Sequence, residues 1–252
     1  MEKKGKCILV CAGDLEISEI PVKEEDIVIA VDGGYLYCQV FGIEPDIVIG
    51  DFDSLEERYV AEIERKYAQA VSEGMKATEE KCTQAVSEGM KAAKKECAES
   101  VSETRKKRMI RLSSVKDDTD TLAALRFGLA EGYREFHLYG ALGGRLEHTL
   151  ANLQCLLFLK DMGASGYIWD GASMTTLIRN EALSFRKEME GMLSVFAFDG
   201  AAEGVYETGL KYTLNDAVIH ENFPIGVSNE FIGEKAEIRV TNGALLVIVR
   251  WE

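Results

Sequence analysis

Two aspartates separated by one residue follow a short hydrophobic run, in the segment Gly-Asp-Phe-Asp-Ser at residues 50–54. The preceding residues 46–49 are rich in β-branched side chains, which predicts a buried strand that ends in a turn. Two like charges about 4 Å apart repel by roughly 1 kcal/mol in water and by more in a drier site. A fold that holds Asp51 and Asp53 together therefore favours a cation between them, and carboxylate oxygens suit Mg²⁺. A solvated acidic turn is the alternative interpretation.

Two more acidic segments follow predicted strands. The Asp-Gly-Gly turn at residues 32–34 places the carboxylate of Asp32 after a strand, and its glycines permit a ligand to approach the backbone closely. Residues 116–120, Lys-Asp-Asp-Thr-Asp, open a predicted helix. Asp118 or Thr119 suits the N-cap of that helix, and Asp120 in the first turn complements the helix dipole. Capping explains one or two of these groups but not all of them.

A glycine pair, Gly143 and Gly144, stands between a strand-like run and another apolar helix. Such a pair presents free backbone N–H groups to an anion at the helix N-terminus, and Arg145 can add a forked contact to phosphate. Each of the four segments is modest evidence when taken singly. Four acidic or glycine-rich turns at one edge of a single sheet favour a metal–phosphate site.

The first 160 residues, apart from one insert, alternate strand-like runs with amphipathic segments. Strands are predicted at residues 7–12, 27–31, 46–49, 109–112 and 136–139, and helices at residues 35–41, 119–130 and 148–160. This alternation predicts a parallel sheet with helices on its faces. Ligands of such sheets bind outside the carboxyl ends of the strands, where the four segments lie.

The pattern changes after about Gly163, where short runs follow one another with little helical signal. Strands are predicted at residues 175–178, 193–198, 210–213, 226–231, 236–240 and 245–251. Gly, Asn and Asp separate these runs, as in an antiparallel sandwich or barrel. We therefore expect two domains, residues 1–163 and 164–252.

The insert, residues 67–108, repeats itself. The sequence that begins at residue 68 returns at residue 83, a period of 15, and a decayed third copy begins at residue 98. Because its apolar stripe is sparse, we expect a protruding helical arm with little chemistry. One straight helix of this length would span on the order of 60 Å, so a hairpin or broken helix is expected, with Gly74 and Gly89 as breaks.

Composition narrows the function classes. The net charge of −14 argues against nucleic acid or an anionic membrane as the main partner. The apolar run near the start is too short for a secretory signal, and no run reaches the roughly 20 apolar residues of a membrane span. The six cysteines lack Cys-x-x-Cys spacing, which predicts reduced thiols in a cytoplasmic protein.

The ordered set of motifs resembles the thiamine pyrophosphokinase family. That family carries an Asp-Gly-Gly turn, a Gly-Asp-x-Asp-Ser turn, a Lys-Asp-x-Thr-Asp-type motif and a Gly-Gly-Arg-x-Asp-His loop, in this order. They match residues 32–34, 50–54, 116–120 and 143–148, and a later Ser-Asn pair matches Ser228 and Asn229. The resemblance covers nearly the whole chain outside the insert.

The resemblance implies an α/β fold, with an N-terminal Rossmann-like parallel sheet and a C-terminal antiparallel β-sandwich that binds thiamine. It implies a homodimer that transfers the terminal diphosphate of ATP to the thiamine hydroxyl, giving thiamine diphosphate and AMP. Its site residues, carried over by motif, are listed here: Asp51, Asp53 and Asp120 for Mg²⁺; Asp32 as a further metal ligand or for the thiamine hydroxyl and its proton; Lys116, Thr119, Gly143, Gly144, Arg145 and Glu147 for ATP; Ser228 and Asn229 for thiamine.

Two departures from the family pattern stand out, the long insert and Glu147 in place of the usual aspartate. Two other functions stay open. A strand followed by an Asp-x-Asp turn is also typical of phosphatases that use the first aspartate, here Asp51, as a covalent nucleophile. A thiamine- or nucleotide-binding module without turnover is the non-enzymatic alternative.

Overall fold

The structure is a computed structural model that describes residues 5–67, 108–115 and 117–251. The repeat-containing part of the insert and Lys116 lie outside these residues, so the prediction of a helical arm stays a prediction. Internal contacts divide the chain into two compact units, Met1–Asn152 and Leu153–Glu252. Across the described ranges, no helix is long and apolar enough to cross a membrane.

The first unit contains five parallel strands in the order β5-β1-β2-β3-β4. The strands are β1 (Cys7–Val10), β2 (Ile27–Val31), β3 (Ile47–Gly50), β4 (Arg108–Arg111) and β5 (Glu135–Tyr139). Every residue of β1, β2 and β3 is buried, as their β-branched runs predict. The predicted α/β class is confirmed, and the finer description as Rossmann-like stays a prediction.

Four helices occur within the described residues. They are α1 (Gly34–Val40), α2 (Glu57–Tyr67), α3 (Asp120–Ala130) and α4 (Leu146–Asp161). Helix α2 has no counterpart among the predicted helices, because it is rich in charged residues and buries only Ile63 and Tyr67. Tyr67, where the insert begins, donates from its hydroxyl to the Pro45 carbonyl at 3.0 Å, so this end of the insert is anchored in the unit.

The second unit contains seven strands, with β10-β9-β12-β7-β6 as the main order, while β8 pairs with β12 and β11 with β9. The strands are β6 (Ser165–Asp170), β7 (Ser173–Arg179), β8 (Ala182–Phe185), β9 (Met192–Thr208), β10 (Leu214–Ile219), β11 (Asn229–Glu230) and β12 (Ala236–Arg250). Leu193, Val195, Val205, Ile238 and Val247 lie at the centre of its hydrophobic core. The antiparallel pairing agrees with the predicted pattern, whereas the two-layer sandwich and the boundary at residue 163 stay predictions.

Strands β9 and β12 are much longer than predicted. The pair Asn242 and Gly243 signals a turn in the sequence, but the chain continues through it as one strand with a register shift against β9. Gly243 takes a positive φ of 104°, which glycine adopts without a steric penalty. Residues 210–213, predicted as a strand, form a connection, and only Asn229–Glu230 of the predicted strand 226–231 is in a strand.

Candidate functional site

The turns after β2, β3 and β4 are tied together by hydrogen bonds. The Asp32 N–H donates to the Ile49 carbonyl at 2.7 Å, and the Leu112 N–H donates to the Gly50 carbonyl at 2.9 Å. The Ser54 hydroxyl donates to Oδ2 of Asp32 at 2.5 Å. The Asp-Gly-Gly turn and the Gly-Asp-Phe-Asp-Ser turn therefore lie side by side at one edge of the sheet, as the alternation of strands and helices predicts.

In the second turn, a buried phenylalanine stands between the two aspartates. Phe52 is buried at 4% exposure and takes a left-handed φ of 64°, while Asp53 on its far side is exposed. Oδ1 of Asp51 accepts the backbone N–H of Asp53 at 3.3 Å, which closes the turn. An aromatic residue in this conformation costs about 1–3 kcal/mol, and such strain is concentrated at functional sites.

Asp32 combines backbone strain with an unsatisfied oxygen. Its φ is 48°, and its Oδ1 atom is buried without a hydrogen-bond partner among the described residues. A buried oxygen of this kind costs about 1–3 kcal/mol unless a ligand satisfies it. Oδ1 of Asp32 is therefore the atom of this turn that is best prepared for a cation or a hydroxyl group.

In the acidic segment after β4, Asp118 and Thr119 have structural roles at the start of α3. Asp118 is paired with Arg126 of α3. Thr119 is the N-cap of α3, and its Oγ1 accepts the Leu122 N–H at 3.2 Å, which confirms Thr119 as one of the two predicted caps. Asp120 follows as the first residue of α3 and is partly exposed.

Replacing Thr119 by alanine should lower the free energy of unfolding by about 1 kcal/mol, because the first turn of α3 loses its side-chain cap. Urea denaturation measures the change, with Thr119→Ser as the matched control that keeps the hydroxyl. Equal stabilities for Thr119→Ala and the wild type would show that the cap contributes nothing.

The Gly143–Gly144 loop is held by the chain that follows β1. The Gly13 N–H donates to the Gly140 carbonyl at 2.7 Å, and the Asp14 N–H donates to the Leu142 carbonyl at 2.8 Å. Oδ2 of Asp14 accepts the Gly144 N–H at 3.2 Å. A carboxylate of the protein thus takes one of the loop N–H groups that were predicted to bind an anion.

Arg145 and Glu147 form an ion pair with each other. Nε of Arg145 donates to Oε1 of Glu147 at 2.7 Å, and the side chains are 71% and 64% exposed. A hydrogen bond from its own backbone N–H, followed by the Arg145 guanidinium, holds the pKa of the Glu147 carboxyl below its ordinary value. Glu147, the departure from the family pattern, is therefore an ionised partner of the arginine predicted to bind phosphate.

Within the described part of the chain, no group of three or more His, Cys, Asp and Glu side chains is spaced to hold a metal ion. The side chains of Asp51, Asp53 and Asp120 offer carboxylate oxygens, the ligand type that Mg²⁺ prefers. Asp51 and Asp53 share one turn, whereas Asp120 begins a helix beyond the neighbouring strand. A metal held here would take part of its coordination from water or a ligand.

In the second unit, Ser228 and Asn229 differ sharply in exposure. Ser228 is exposed with a left-handed φ of 59°, and its N–H donates to Oγ of Ser194 at 3.0 Å. Asn229 is 4% exposed. Its Oδ1 accepts the N–H groups of Tyr212 at 3.0 Å and Glu230 at 2.9 Å, and its Nδ2 donates to the Tyr212 carbonyl at 2.6 Å.

Nδ2 of Asn229 also donates to Oε2 of Glu207 at 2.6 Å. Both ends of the Asn229 amide are thus occupied within the protein, and Glu207 itself is only 1% exposed. Burial raises the pKa of the Glu207 carboxyl above its ordinary value, and the Asn229 hydrogen bond opposes part of that rise. The charged residues next to Tyr212 and Asn229 in the chain, Lys211 and Glu230, are paired with each other. Nζ of Lys211 lies 2.8 Å from Oε1 of Glu230.

The raised pKa of Glu207 predicts a pH-dependent stability. Burial favours the protonated acid in the folded state. The contribution of protonated Glu207 to the free energy of unfolding is therefore fully present below the unfolded pKa of about 4.3, and it is lost as the pH rises through the folded pKa. Glu207→Gln removes this titration, so its stability relative to the wild type should increase with pH over that window and then become constant. Urea midpoints between pH 4 and 8 measure the difference, and a constant difference would contradict the prediction.

Three residues that contact the predicted site residues were not themselves predicted as site residues from the sequence: Asp14, Glu207 and Tyr212. Asp14 follows a strand and a glycine, the same signal that marked the other turns, so it was accessible to the same reasoning. Glu207 is a lone carboxylate in an alternating strand, which ordinarily indicates an exposed position. Tyr212 lies in a segment predicted as a strand, yet its side chain is 61% exposed.

Comparison with known proteins matches residues 181–245 to the family model described as "Thiamin pyrophosphokinase, vitamin B1 binding domain". A curated relative, the thiamine pyrophosphokinase of Bacillus subtilis strain 168, is 26% identical over 134 residues. The alignment covers 53% of this chain and 63% of the relative, so the aligned part spans less than two thirds of that protein.

Solved structures extend the similarity to nearly the whole chain. The thiamine pyrophosphokinase of Bacillus subtilis superposes with a TM-score of 0.73 at 22% identity, covering 98% of this chain and 100% of that chain. That of Geobacillus thermodenitrificans gives a TM-score of 0.73 at 21% identity, covering 98% of each chain. The yeast enzyme gives 0.60 at 15% identity, covering 100% of this chain and 88% of that chain. The chain therefore has the fold of the thiamine pyrophosphokinases, and its residues 181–245 match the model of their vitamin B1 binding domain, which confirms the resemblance drawn from its motifs.

Proposed function

We propose that this protein transfers the terminal diphosphate of ATP to the hydroxyl group of thiamine, giving thiamine diphosphate and AMP. The hydroxyl oxygen attacks the β-phosphorus, the bond from that phosphorus to the oxygen bridging it to the α-phosphorus breaks, and AMP leaves. The hydroxyl proton passes to an acceptor. A protein catalyst of this reaction must hold phosphate charge, orient the hydroxyl and bind the thiamine rings.

The observation that carries the proposal is the edge formed by Asp32, Asp51 and Asp53, with its unsatisfied buried oxygen, in a chain that matches a vitamin B1 binding domain. We assign Asp51, Asp53 and Asp120 to Mg²⁺, because their oxygens are hard ligands at the carboxyl ends of neighbouring strands. When bound, Mg²⁺ neutralises and aligns phosphate oxygens. Phosphate oxygens and water would complete its coordination.

Asp32 is assigned to the hydroxyl group. The Ser54 hydroxyl holds Oδ2 of Asp32, which leaves Oδ1 to accept a hydrogen bond from the attacking hydroxyl and later its proton. In this assignment Asp32 binds the hydroxyl group and is not one of the three metal ligands. It also gives Ser54 a role in orienting the carboxylate.

The remaining nucleotide contacts are assigned to two segments. Lys116 and Thr119 precede and cap α3, and the loop with Gly143, Gly144 and Arg145 precedes α4. Backbone N–H groups and the Arg145 guanidinium would hold phosphate, with Glu147 orienting the arginine through their ion pair. For phosphate to reach the Gly144 N–H, the carboxylate of Asp14 must give up that hydrogen bond.

Thiamine binding is assigned to the segment that contains Ser228 and Asn229. Ser228 is exposed, and its hydroxyl group is assigned to direct contact with thiamine. The Asn229 amide is hydrogen-bonded to the Tyr212 backbone and orders the segment. The same amide binds the backbone of Tyr212, a largely exposed residue whose ring also has Nζ of Lys211 at 5.7 Å from its centroid. An aromatic ring offers a stacking surface for a heteroaromatic ligand. A homodimer, expected from the family resemblance, belongs to this proposal.

One assay tests the proposed reaction. The full chain is incubated with ATP, Mg²⁺ and thiamine, and nucleotide and thiamine products are separated by chromatography. AMP and thiamine diphosphate in equal amounts are expected. Release of ADP or free phosphate would overturn the proposal, and a phosphorylated Asp51 would favour the phosphatase. Thiamine binding in titration calorimetry without AMP formation would favour a binding module.

A further inference from the structure

A carboxyl group lies inside the hydrophobic core of the second unit. Along β9, Glu207 follows the inward-facing alternation of Val205, and its neighbours across the sheet are Leu214 on β10 and Ile238 on β12. Only 1% of Glu207 is exposed. Glutamate is almost never fully buried unless it is paired, so an apolar residue is the ordinary occupant of such a position.

The pairing of Glu207 is one-sided. Oε2 accepts Nδ2 of Asn229 at 2.6 Å, whereas Oε1 has no hydrogen-bond partner within the described residues. A buried polar atom left in this state destabilises the folded protein. The unpaired Oε1 atom of Glu207 therefore destabilises the core. What the buried position provides is the hydrogen bond from Asn229 to Oε2.

That contact sets the orientation of the Asn229 amide. Because a carboxyl oxygen faces its NH₂ group, the amide oxygen is turned toward the N–H groups of Tyr212 and Glu230. Nδ2 also donates to the Tyr212 carbonyl, so one side chain joins the Tyr212 segment to the Ser228 segment. Without an acceptor at Glu207, the amide keeps its contacts with the Tyr212 carbonyl and the two N–H groups, but its Nδ2 loses one of two acceptors and a buried N–H is left unpaired.

We propose that Glu207 is a positioning residue, which fixes the Asn229 amide and thereby holds Tyr212 and Ser228 in place for thiamine. This inference rests on the proposed thiamine-binding function of the same segment. Glu207 acts through Asn229 and does not itself contact the ligand. Its removal should weaken thiamine binding and leave the ATP site and the chemical step unchanged.

The variants Glu207→Leu and Glu207→Gln separate this role from general core packing. Leucine fills the core but cannot accept a hydrogen bond, whereas glutamine keeps an acceptor for Asn229. Glu203→Leu is the matched control, since Glu203 lies on the same strand and also accepts an asparagine amide, from Asn242 at 3.2 Å, but is exposed. All three variants are compared as full chains.

Two readouts are measured on each variant. The first is the KM for thiamine beside kcat and the KM for ATP, and the second is hydrogen exchange at the Tyr212 and Glu230 amides. Loss of one hydrogen bond of about 1.4 kcal/mol predicts an about tenfold rise in thiamine KM and in both exchange rates for Glu207→Leu. Glu207→Gln and Glu203→Leu should stay within about twofold of the wild type, and kcat should be unchanged throughout.

Unchanged thiamine KM and unchanged exchange in a folded Glu207→Leu variant would overturn the proposal, as would equal effects of leucine and glutamine. If Glu207→Leu does not fold, Asn229→Asp replaces it, because this change removes both amide donors and faces Glu207 with a second acid. Adding Glu207→Gln to Asn229→Asp should then recover part of the lost affinity, and no recovery would count against the coupling.

Failure of the proposed function is recognised separately. If the wild type neither binds thiamine nor forms thiamine diphosphate, the function is wrong. The exchange rates of Tyr212 and Glu230 still decide whether Glu207 positions the segment.

Discussion

Replacing Asp53 by asparagine is expected to lower kcat for thiamine diphosphate formation by at least about 100-fold, with the fold intact. The same result is expected for Asp51→Asn. Each change removes one negative charge from the turn that we assign to Mg²⁺, while the neutral amide is close in size to the carboxylate. Initial rates of AMP release at saturating ATP and thiamine measure the effect.

The matched control for these variants is Glu56→Gln. Glu56 lies just beyond the same turn, is exposed, and is paired with Arg58 at 3.0 Å, so the loss of its charge should change kcat by less than about twofold. Circular dichroism and thermal unfolding establish that each variant is folded. Wild-type turnover in both Asp51→Asn and Asp53→Asn would remove the metal assignment.

Replacing Gly34 by alanine is expected to lower the free energy of unfolding by about 3 kcal/mol. A Cβ atom at this position would lie 1.9 Å from the Val10 carbonyl oxygen, and backbone atoms of β1 cannot move aside without disturbing the sheet. Gly34 is the first residue of α1, so the helix and the strand must separate to make room. Urea denaturation measures the loss.

The preceding glycine provides the control. A Cβ atom on Gly33 would lie 3.1 Å from the Cβ of Ala12 and 3.5 Å from Oγ of Ser54, and the backbone φ of Gly33 is −58°, which alanine adopts readily. Gly33→Ala should therefore cost less than about 1 kcal/mol. Comparable losses for Gly33→Ala and Gly34→Ala would refute the packing argument.

This contrast refines the interpretation of the Asp-Gly-Gly turn. From sequence, both glycines were expected to admit a ligand to the backbone. The structure shows that Gly34 is required by the close approach of α1 to β1, whereas a Cβ atom at Gly33 would meet only a tight contact with the side chain of Ala12. A single sequence cannot separate the two reasons, because the atom that excludes a side chain at Gly34 belongs to a strand more than twenty residues away.

The strands β2 and β3 were predictable because they are short and rich in β-branched residues, with an aspartate directly after β2 and a glycine at the end of β3. Their order places the acidic turns at one edge, so Asp32 and Ser54 could be expected to meet. The long strands β9 and β12 were not predictable in the same way. Asn-Gly and Asp-Gly pairs usually signal turns, but here long-range pairing carries both strands through them.

The Glu207–Asn229 contact was beyond sequence reasoning for a different reason. Alternation along β9 shows which positions face inward only after the register is known, and a glutamate at an inward position would ordinarily shift the assignment outward. Asn229 was predicted as a ligand contact from its motif. Its hydrogen bonds inside the protein became visible only when Tyr212 and Glu207 were placed around it.

Strand β4 pairs with β3 in parallel, with Arg108 opposite Ile47, although the repeat-containing segment separates them in sequence. In the unfolded chain, the entropic cost of bringing β3 and β4 together grows only with the logarithm of the number of residues between them, so one 15-residue repeat changes it by about 0.3 kcal/mol. Gain or loss of a repeat copy therefore changes this entropic cost very little. The repeat number should matter more for folding speed, because β4 must find β3 across a longer chain when a copy is added.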